Sequence, residues 1–300
     1  MEHRKILWRT WLVVVATVLA LTAGPAVAAT LVVDDDGFAS ATDCNDLTTA
    51  TFTTISAAVA AASSGDTILV CPGTYPEQVV ITKDLTLLGD PGATIAATFG
   101  AVGAMVDVSG TTVIIAGFTI NGNGGAGRSG CQAGTNRFSG IRYHDQASGA
   151  IAHNTVVDIH LPAGLLGCQE GVGIEIRDLN ASDGATAVAV TNNTVVAYQK
   201  GGIVANGEGV SARVAGNTVV GFGPTNVIAQ NGIQFGFGAA GTADGNYIQG
   251  NFYTPATFAS AGILVFGFQQ GSNVQIPNTN VFVGNQVDIL RGPVCGQCVQ

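Results

Sequence analysis

The chain has 300 residues, 47% of them hydrophobic and only 10% charged, with 42 glycines and a formal net charge of −9. That acidity excludes nucleic-acid capture through phosphates and, unless a local basic patch overrides the mean, broad capture of acidic polymers. Helical spacing of apolar residues is nearly absent, and glycine is spread between short β-forming runs as turns.

Residues 1–29 open with His3-Arg4-Lys5 and Arg9, continue through an apolar run, and end in the small residues Ala26-Val27-Ala28-Ala29. That order predicts a secretory signal peptide cleaved after Ala28 or Ala29, and hence a secreted or cell-surface protein. Removing it takes three of the 11 basic and one of the 20 acidic side chains, leaving 8 against 19, or −11. No later segment is long and apolar enough to span a bilayer. Residues 30–300 read as one domain: a cap over 30–66, coils over about 67–290 and a tail over 291–300.

A first strand is expected over 30–33. The carboxylates Asp34-Asp35-Asp36 that follow read as a solvated turn, and a calcium site is the lesser reading because calcium ligands normally alternate with other residues. No other metal or cofactor is expected. One helix is predicted around Ile55, Ala58, Val59 and Ala62, with Thr54 as N-cap and Gly65 ending it. It covers the open end of whatever follows. Strands are expected over 67–70, 78–81, 85–88, 105–108 and 113–120, with turns at Pro72-Gly73-Thr74 and Asp90-Pro91-Gly92.

From residue 140 the chain repeats. Gly-Ile pairs recur at Ile141, Ile174, Ile203, Ile233 and Ile263, in steps of 33, 29, 30 and 30 residues. Each is followed by an Asn, at 154, 193, 217, 246 and 285, and then by an apolar residue, Val156, Val195, Val219, Ile248 and Val287. A period near 30 with strand alternation inside it predicts a β-solenoid of stacked coils. The Asn residues form an amide ladder along the axis, starting at Asn154, and the apolar residues form an inward column. The longest departures from a bare coil predict outward loops near 121–139 and 160–172, with smaller ones near 179–186, 252–260 and 268–277.

The run from Thr54 through Gly65-Asp66-Thr67-Ile68, Val70-Cys71-Pro72-Gly73-Thr74-Tyr75 and residues 85–89 resembles the amino-terminal cap and first coil of right-handed parallel β-helix proteins. These form the pectin-lyase-like superfamily, and the Gly-Ile and Asn-Thr-Val units resemble its coil repeat. The resemblance covers roughly residues 30–290. It implies an all-β, right-handed helix of three parallel sheets with stacked ladders, and leaves function open, because the superfamily holds enzymes, adhesins and proteins of no known activity.

Six cysteines in an exported chain invite disulfides. Cys44 and Cys71 flank the cap helix, and Cys131 and Cys168 lie in the loops of consecutive coils, so those pairings are expected. Cys295 and Cys298 remain near the carboxyl terminus, open to pairing with each other.

The residues able to do chemistry gather between 128 and 178. Aligning the first two Gly-Ile coils sets Arg142 beside Glu175, His144 beside Arg177 and Asp145 beside Asp178, an outward-facing grid. In β-elimination on a uronic acid, Arg142 or Arg177 would neutralise the sugar carboxylate and His144 would be the base. In glycoside hydrolysis, Glu175 with Asp178 or Asp145 would flank the bond. The bland alternative is an Arg142–Glu175 cross-strand ion pair. Set against the family's enzymes, the grid lacks the paired aspartates and Gly-His-Gly of polygalacturonase-like members. The pectate-lyase-like Arg-x-Pro-x-x-Arg is missing too, and only the His-Asp of an epimerase-like Asp-Pro-His-Asp is present. Phe252, Tyr253, Phe258 and Phe266 offer rings for stacking on sugars. Together these residues favour a non-catalytic surface or matrix protein contacting extracellular polysaccharide or a cell-surface glycan, with a lyase, hydrolase or epimerase as the alternative. A grid locked in mutual ion pairs fits the first, and one open in a groove fits the second.

Overall fold

The computed structural model describes residues 28–37, 44, 52–96, 103–180, 182, 184–267 and 273–292. Three parallel sheets wind around one core. A nine-stranded sheet runs from Thr30–Val33 to Val274–Gln275, an eight-stranded sheet from Val79–Ile81 to Val287–Gly292, and a second eight-stranded sheet from Gly73–Tyr75 to Val281–Val283. Each strand pairs with its counterpart one coil away, which makes the molecule a right-handed parallel β-helix.

The Gly-Ile repeat sets the register. Ile141 pairs with Ile174, Ile174 with Ile203, Ile203 with Ile233 and Ile233 with Ile263. All five are fully buried, each contributing about 1.5–3 kcal/mol over an exposed side chain. The glycine before each is required by stacking: a Cβ on Gly202 would sit 2.6 Å from the carbonyl oxygen of Gly232 in the next coil. The expected strand over 113–120 breaks into Thr112–Ala116 and Thr119–Asn121. Gly117 turns the corner between them at φ +87°, with a would-be Cβ 2.2 Å from Gly89 O. The expected turn at 72–74 carries a short strand, Gly73–Tyr75.

The amide ladder starts at Asn154, as expected. The Nδ2 groups of Asn154, Asn193 and Asn217 donate to the Oδ1 of Asn193, Asn217 and Asn246 at 3.1, 3.0 and 3.0 Å. The fifth rung corrects the sequence reading: Asn246 donates to Asn280, also at 3.0 Å, not to Asn285. Asn285 accepts instead from Asn251, in a second short column. The inward apolar column shifts with it, so Ile248 pairs with Phe282, while Val287 lies in a different sheet beside Ala261.

The cap helix spans Ile55–Ala61, with Thr54 accepting from Ala57 N at 3.3 Å. Glu77, from the first coil, accepts from Ile55 N and Ser56 N at 2.7 and 2.8 Å, satisfying two donors that every helix start leaves open. Gly65 does not end this helix. Ala62 does, in extended conformation, and Lys83 Nζ donates to Ala60 O and Ala62 O at 3.2 and 2.8 Å. Cys44–Cys71 and Cys131–Cys168 are bonded as expected, with Cα separations of 5.4 and 5.3 Å. Cys295, Cys298 and residues 1–27 lie outside the described residues. No helix among the described residues is long and apolar enough to cross a membrane.

Candidate functional site

The sheet built on the Gly-Ile strands carries the chemistry on its outer face. Between the inward positions, one outward column runs Asp107, Arg142, Glu175, Val204, Gln234, Leu264 along the axis. A neighbouring column runs Ser109, His144, Arg177, Asn206, Gly236, Phe266. The charges fall on the amino-terminal coils and the amides and apolar groups on the later ones.

The predicted register of Arg142 with Glu175 and His144 with Arg177 holds. The expected Arg142–Glu175 ion pair does not form as such. Arg142 Nε donates to Asp107 Oδ1 at 2.8 Å, and His144 Nε2 lies 3.3 Å from the same oxygen. Glu175 is served by others: Ser139 Oγ donates to its Oε2 at 2.7 Å, and Arg137 Nη2 lies 3.7 Å from its Oε1. Nor is the grid outward in the sense of exposed, for Arg142 and Glu175 are each only 2% accessible. The loop over 122–138 reaches Glu175 through Arg137, which also donates to Gln169 O of the loop over 158–171. Glu170, fully buried, accepts from Gln132 N and Phe138 N at 2.7 and 2.9 Å, and the Cys131–Cys168 bond joins the two loops.

Electrostatics follow from these contacts. Burial pushes the Asp107 carboxyl up, but the hydrogen bonds and charges of His144 and Arg142 outweigh it and hold Asp107 below the ordinary value. The contact with Asp107 raises the His144 imidazole above its ordinary value against burial, and Asp145 Oδ2, 2.8 Å from His144 Nδ1, adds to the rise. A carboxylate beside each nitrogen favours the protonated imidazole, which weakens the case for His144 as a base. Asp145 itself is 73% exposed. Asp178 is buried in its own turn, accepting from Thr186 Oγ1 at 3.0 Å and Asn180 N at 3.1 Å.

Past this lattice the surface opens into a groove of about 390 Å³, walled by Arg137, Glu175, Arg177, Lys200, Asn206 and Phe266 among others. Arg177 Nη1 is buried there with no hydrogen-bond partner among the described residues, and so is Arg137 Nε. Burial pulls the Arg177 guanidinium below its usual value, Glu175 pushing the other way, and it stays charged. A second hollow of about 320 Å³ adjoins the first and shares Gln169, Lys200 and Gln234 with it. It is lined by Tyr253 and Phe258, whose rings meet edge to face at 5.3 Å. Phe266 lies edge to face with Phe237 at 5.1 Å in the first groove and is otherwise buried. Phe252 is half-buried, paired in register with Pro224, and is not part of either hollow's lining.

Sequence reasoning did not single out Asp107, Arg137 or Lys200. Carrying the repeat back one coil, to Met105-Val106-Asp107-Val108, would have set Asp107 beside Arg142. At the amino-terminal end, Asp35 Oδ2 accepts from Thr74 N at 2.9 Å, and burial raises the Asp34 carboxyl. No group of three or more His, Cys, Asp or Glu that could hold a metal gathers among the described residues.

No family model matches this sequence, and no curated protein matches it. Among solved structures, the chain is similar to pectin methylesterase PemA from Erwinia chrysanthemi, at 11% identity and a TM-score of 0.46, covering 91% of this chain and 94% of that one. It is also similar to a pectin methylesterase from Aspergillus niger, at 13% identity and a TM-score of 0.44, covering 91% and 88%. Similarity to pectate lyase Pel9A stands at 14% identity and a TM-score of 0.42, covering 91% and 78%. The architecture rests on the three parallel sheets themselves, independently of these likenesses. It is a right-handed parallel β-helix.

Proposed function

We propose that this is an exported polysaccharide-active enzyme whose groove takes an acidic glycan. The observation that carries the reading is Arg177, a half-buried cation whose buried Nη1 has no hydrogen-bond partner among the described residues, beside Glu175 in the groove. A buried donor without an acceptor is costly, and a sugar carboxylate would satisfy it. Arg137 and Lys200 add positive charge at the same place, a local basic patch on a chain whose mature balance is −11. Two disulfides fit an oxidising, extracellular setting.

Of the chemistries open to such a site, abstraction of the proton next to a uronate carboxylate fits best. Arg177 and Arg137 would neutralise the sugar carboxylate, making that proton more acidic, and the Glu175 carboxylate would accept it. Hydrolysis by two carboxylates is less well supported, because Asp107 is engaged by Arg142 and Asp178 by its own turn. His144, held between Asp107 and Asp145, gives way to Glu175 as the proton acceptor. The lattice around Arg142 serves as the rigid floor.

The test is incubation of the purified protein with uronate polymers, following the ultraviolet absorbance of an unsaturated product together with direct binding. Turnover lost in Arg177→Ala and Glu175→Gln, with unfolding midpoints close to the parent, supports the reading. Binding that needs Arg177 but never yields product would leave a non-catalytic glycan-binding protein. A folded protein that neither binds nor converts any acidic polymer would sink it.

A further inference from the structure

The second eight-stranded sheet carries on its outer face a pattern that the groove does not use. Ile95, Ile120, Val156, Val195, Val219 and Ile248 point inward and are fully buried, so the residue before each points out. Those residues are Thr94, Thr119, Thr155, Thr194, Thr218 and Tyr247, in register from coil to coil. Thr94 Oγ1 donates to Gly92 O at 3.3 Å and Tyr247 Oη to Gln249 Oε1 at 2.8 Å. The hydroxyls of Thr119, Thr155, Thr194 and Thr218 have no hydrogen-bond partner among the described residues, and Thr155 is exposed with the other three half-buried. Two positions on, Asn121, Val157, Val196 and Val220 add a second, largely apolar column. The register runs unbroken as far as Val220, where a bulge begins. Across the segments 116–121, 152–157, 191–196 and 215–220 the only ionisable side chain is His153.

A charged group locks water into its own hydration shell, whereas a rigid uncharged array imposes its own spacing on the water beside it. Threonine is stiff at χ1, and each hydroxyl can both donate and accept. Stacked coils repeat at about 4.8 Å, close to the repeat of equivalent oxygens along a row of ice. The methyl groups and valines between the hydroxyls leave neighbouring waters to bond to one another. We infer that this face binds ice, the four hydroxyls taking the place of water oxygens in the surface of a growing crystal. The inference is independent of the groove, which opens on the other eight-stranded sheet.

The experiment is to cool the purified, folded protein around a single ice crystal, reading the crystal's shape and the gap between its melting and growth temperatures. The parent should facet the crystal and open a gap that widens with protein concentration. Thr155→Lys and Thr194→Lys each place a charge in the middle of the array. Both should abolish the facets and the gap, with thermal unfolding midpoints close to the parent because the two side chains point outward. Ser211→Lys, at an exposed position on the nine-stranded sheet, should change neither. A crystal that grows as an unfaceted disc with no gap would overturn the inference. So would a gap that survives both threonine changes, or one lost equally in Ser211→Lys.

Discussion

Arg142 donates to Asp107, 2.8 Å away on the preceding coil, although Glu175 is its register partner on the following one. The pair is nearly sealed, with side chains 3% and 12% accessible. Asp107→Ala would leave the guanidinium buried beside His144 without its carboxylate. Removing one partner of a buried pair costs about 3–5 kcal/mol, whereas an exposed pair costs about 1 kcal/mol or less. Denaturant unfolding should therefore show a loss in the larger range, and a loss near the smaller one would mean that water reaches the pair.

The same cluster makes stability depend on pH. Asp107 is held below its ordinary value of 3.8, so its contribution is present above 3.8 and is lost as pH falls through its depressed folded value. His144 is held above 6.5, so its contribution is complete below 6.5 and is lost as pH rises through its folded value. Asp145, Arg142 and Arg177 surround the imidazole, and the net effect is a plateau between 3.8 and 6.5. Unfolding midpoints across pH should decline on the alkaline side in the parent and lose that limb in His144→Gln. An unchanged limb in the variant would assign it to another group.

Inside the ladder, Asn193 donates to Ile151 O at 2.9 Å and Asn217 Oδ1 at 3.0 Å, and accepts from Asn154 N at 3.0 Å. Asn193→Ala orphans these buried groups at about 1–3 kcal/mol each. Asn280→Ala, at the half-buried last rung, should cost less, because water can replace the lost amide. Comparison of the two by thermal unfolding checks the ladder, and equal losses would contradict a buried interior rung.

At the start of the described chain, Asp66 Oδ1 accepts from Ala29 N at 2.8 Å, the bond that chiefly lowers the Asp66 carboxyl below its ordinary value. Cleavage after Ala28 would turn that amide into an ammonium already facing a carboxylate, while cleavage after Ala29 would discard the contact. The intact mass of the exported protein should correspond to a chain beginning at Ala29. A chain beginning at Thr30 would show that the contact does not survive processing.

Much of the coil geometry was legible because it is written in short, repeated units. Ile141, Ile174, Ile203, Ile233 and Ile263 pair as their spacing predicts, and the cysteines of consecutive loops meet. The misreading of Asn285 for Asn280 has a local cause. Both residues precede β-forming runs, and the last coil carries an extra loop that hides which one keeps the count. Asp107 was missed because its coil has no Gly-Ile pair, so a search by motif stopped one coil short.

The sequence by itself determined the stacked β-coil, its period, the cap helix and the residues that share the outer face, since alternation and recurrence are properties of neighbours along the chain. Only the tertiary structure decided that Arg142 serves Asp107, that Glu175 stands nearly sealed in the wall of a groove, and that Arg177, Lys200, Tyr253 and Phe258 line adjoining hollows. Those outcomes depend on where long loops from different coils come to rest, on the burial that follows, and on which charge reaches a shared carboxylate, none of which any local pattern encodes.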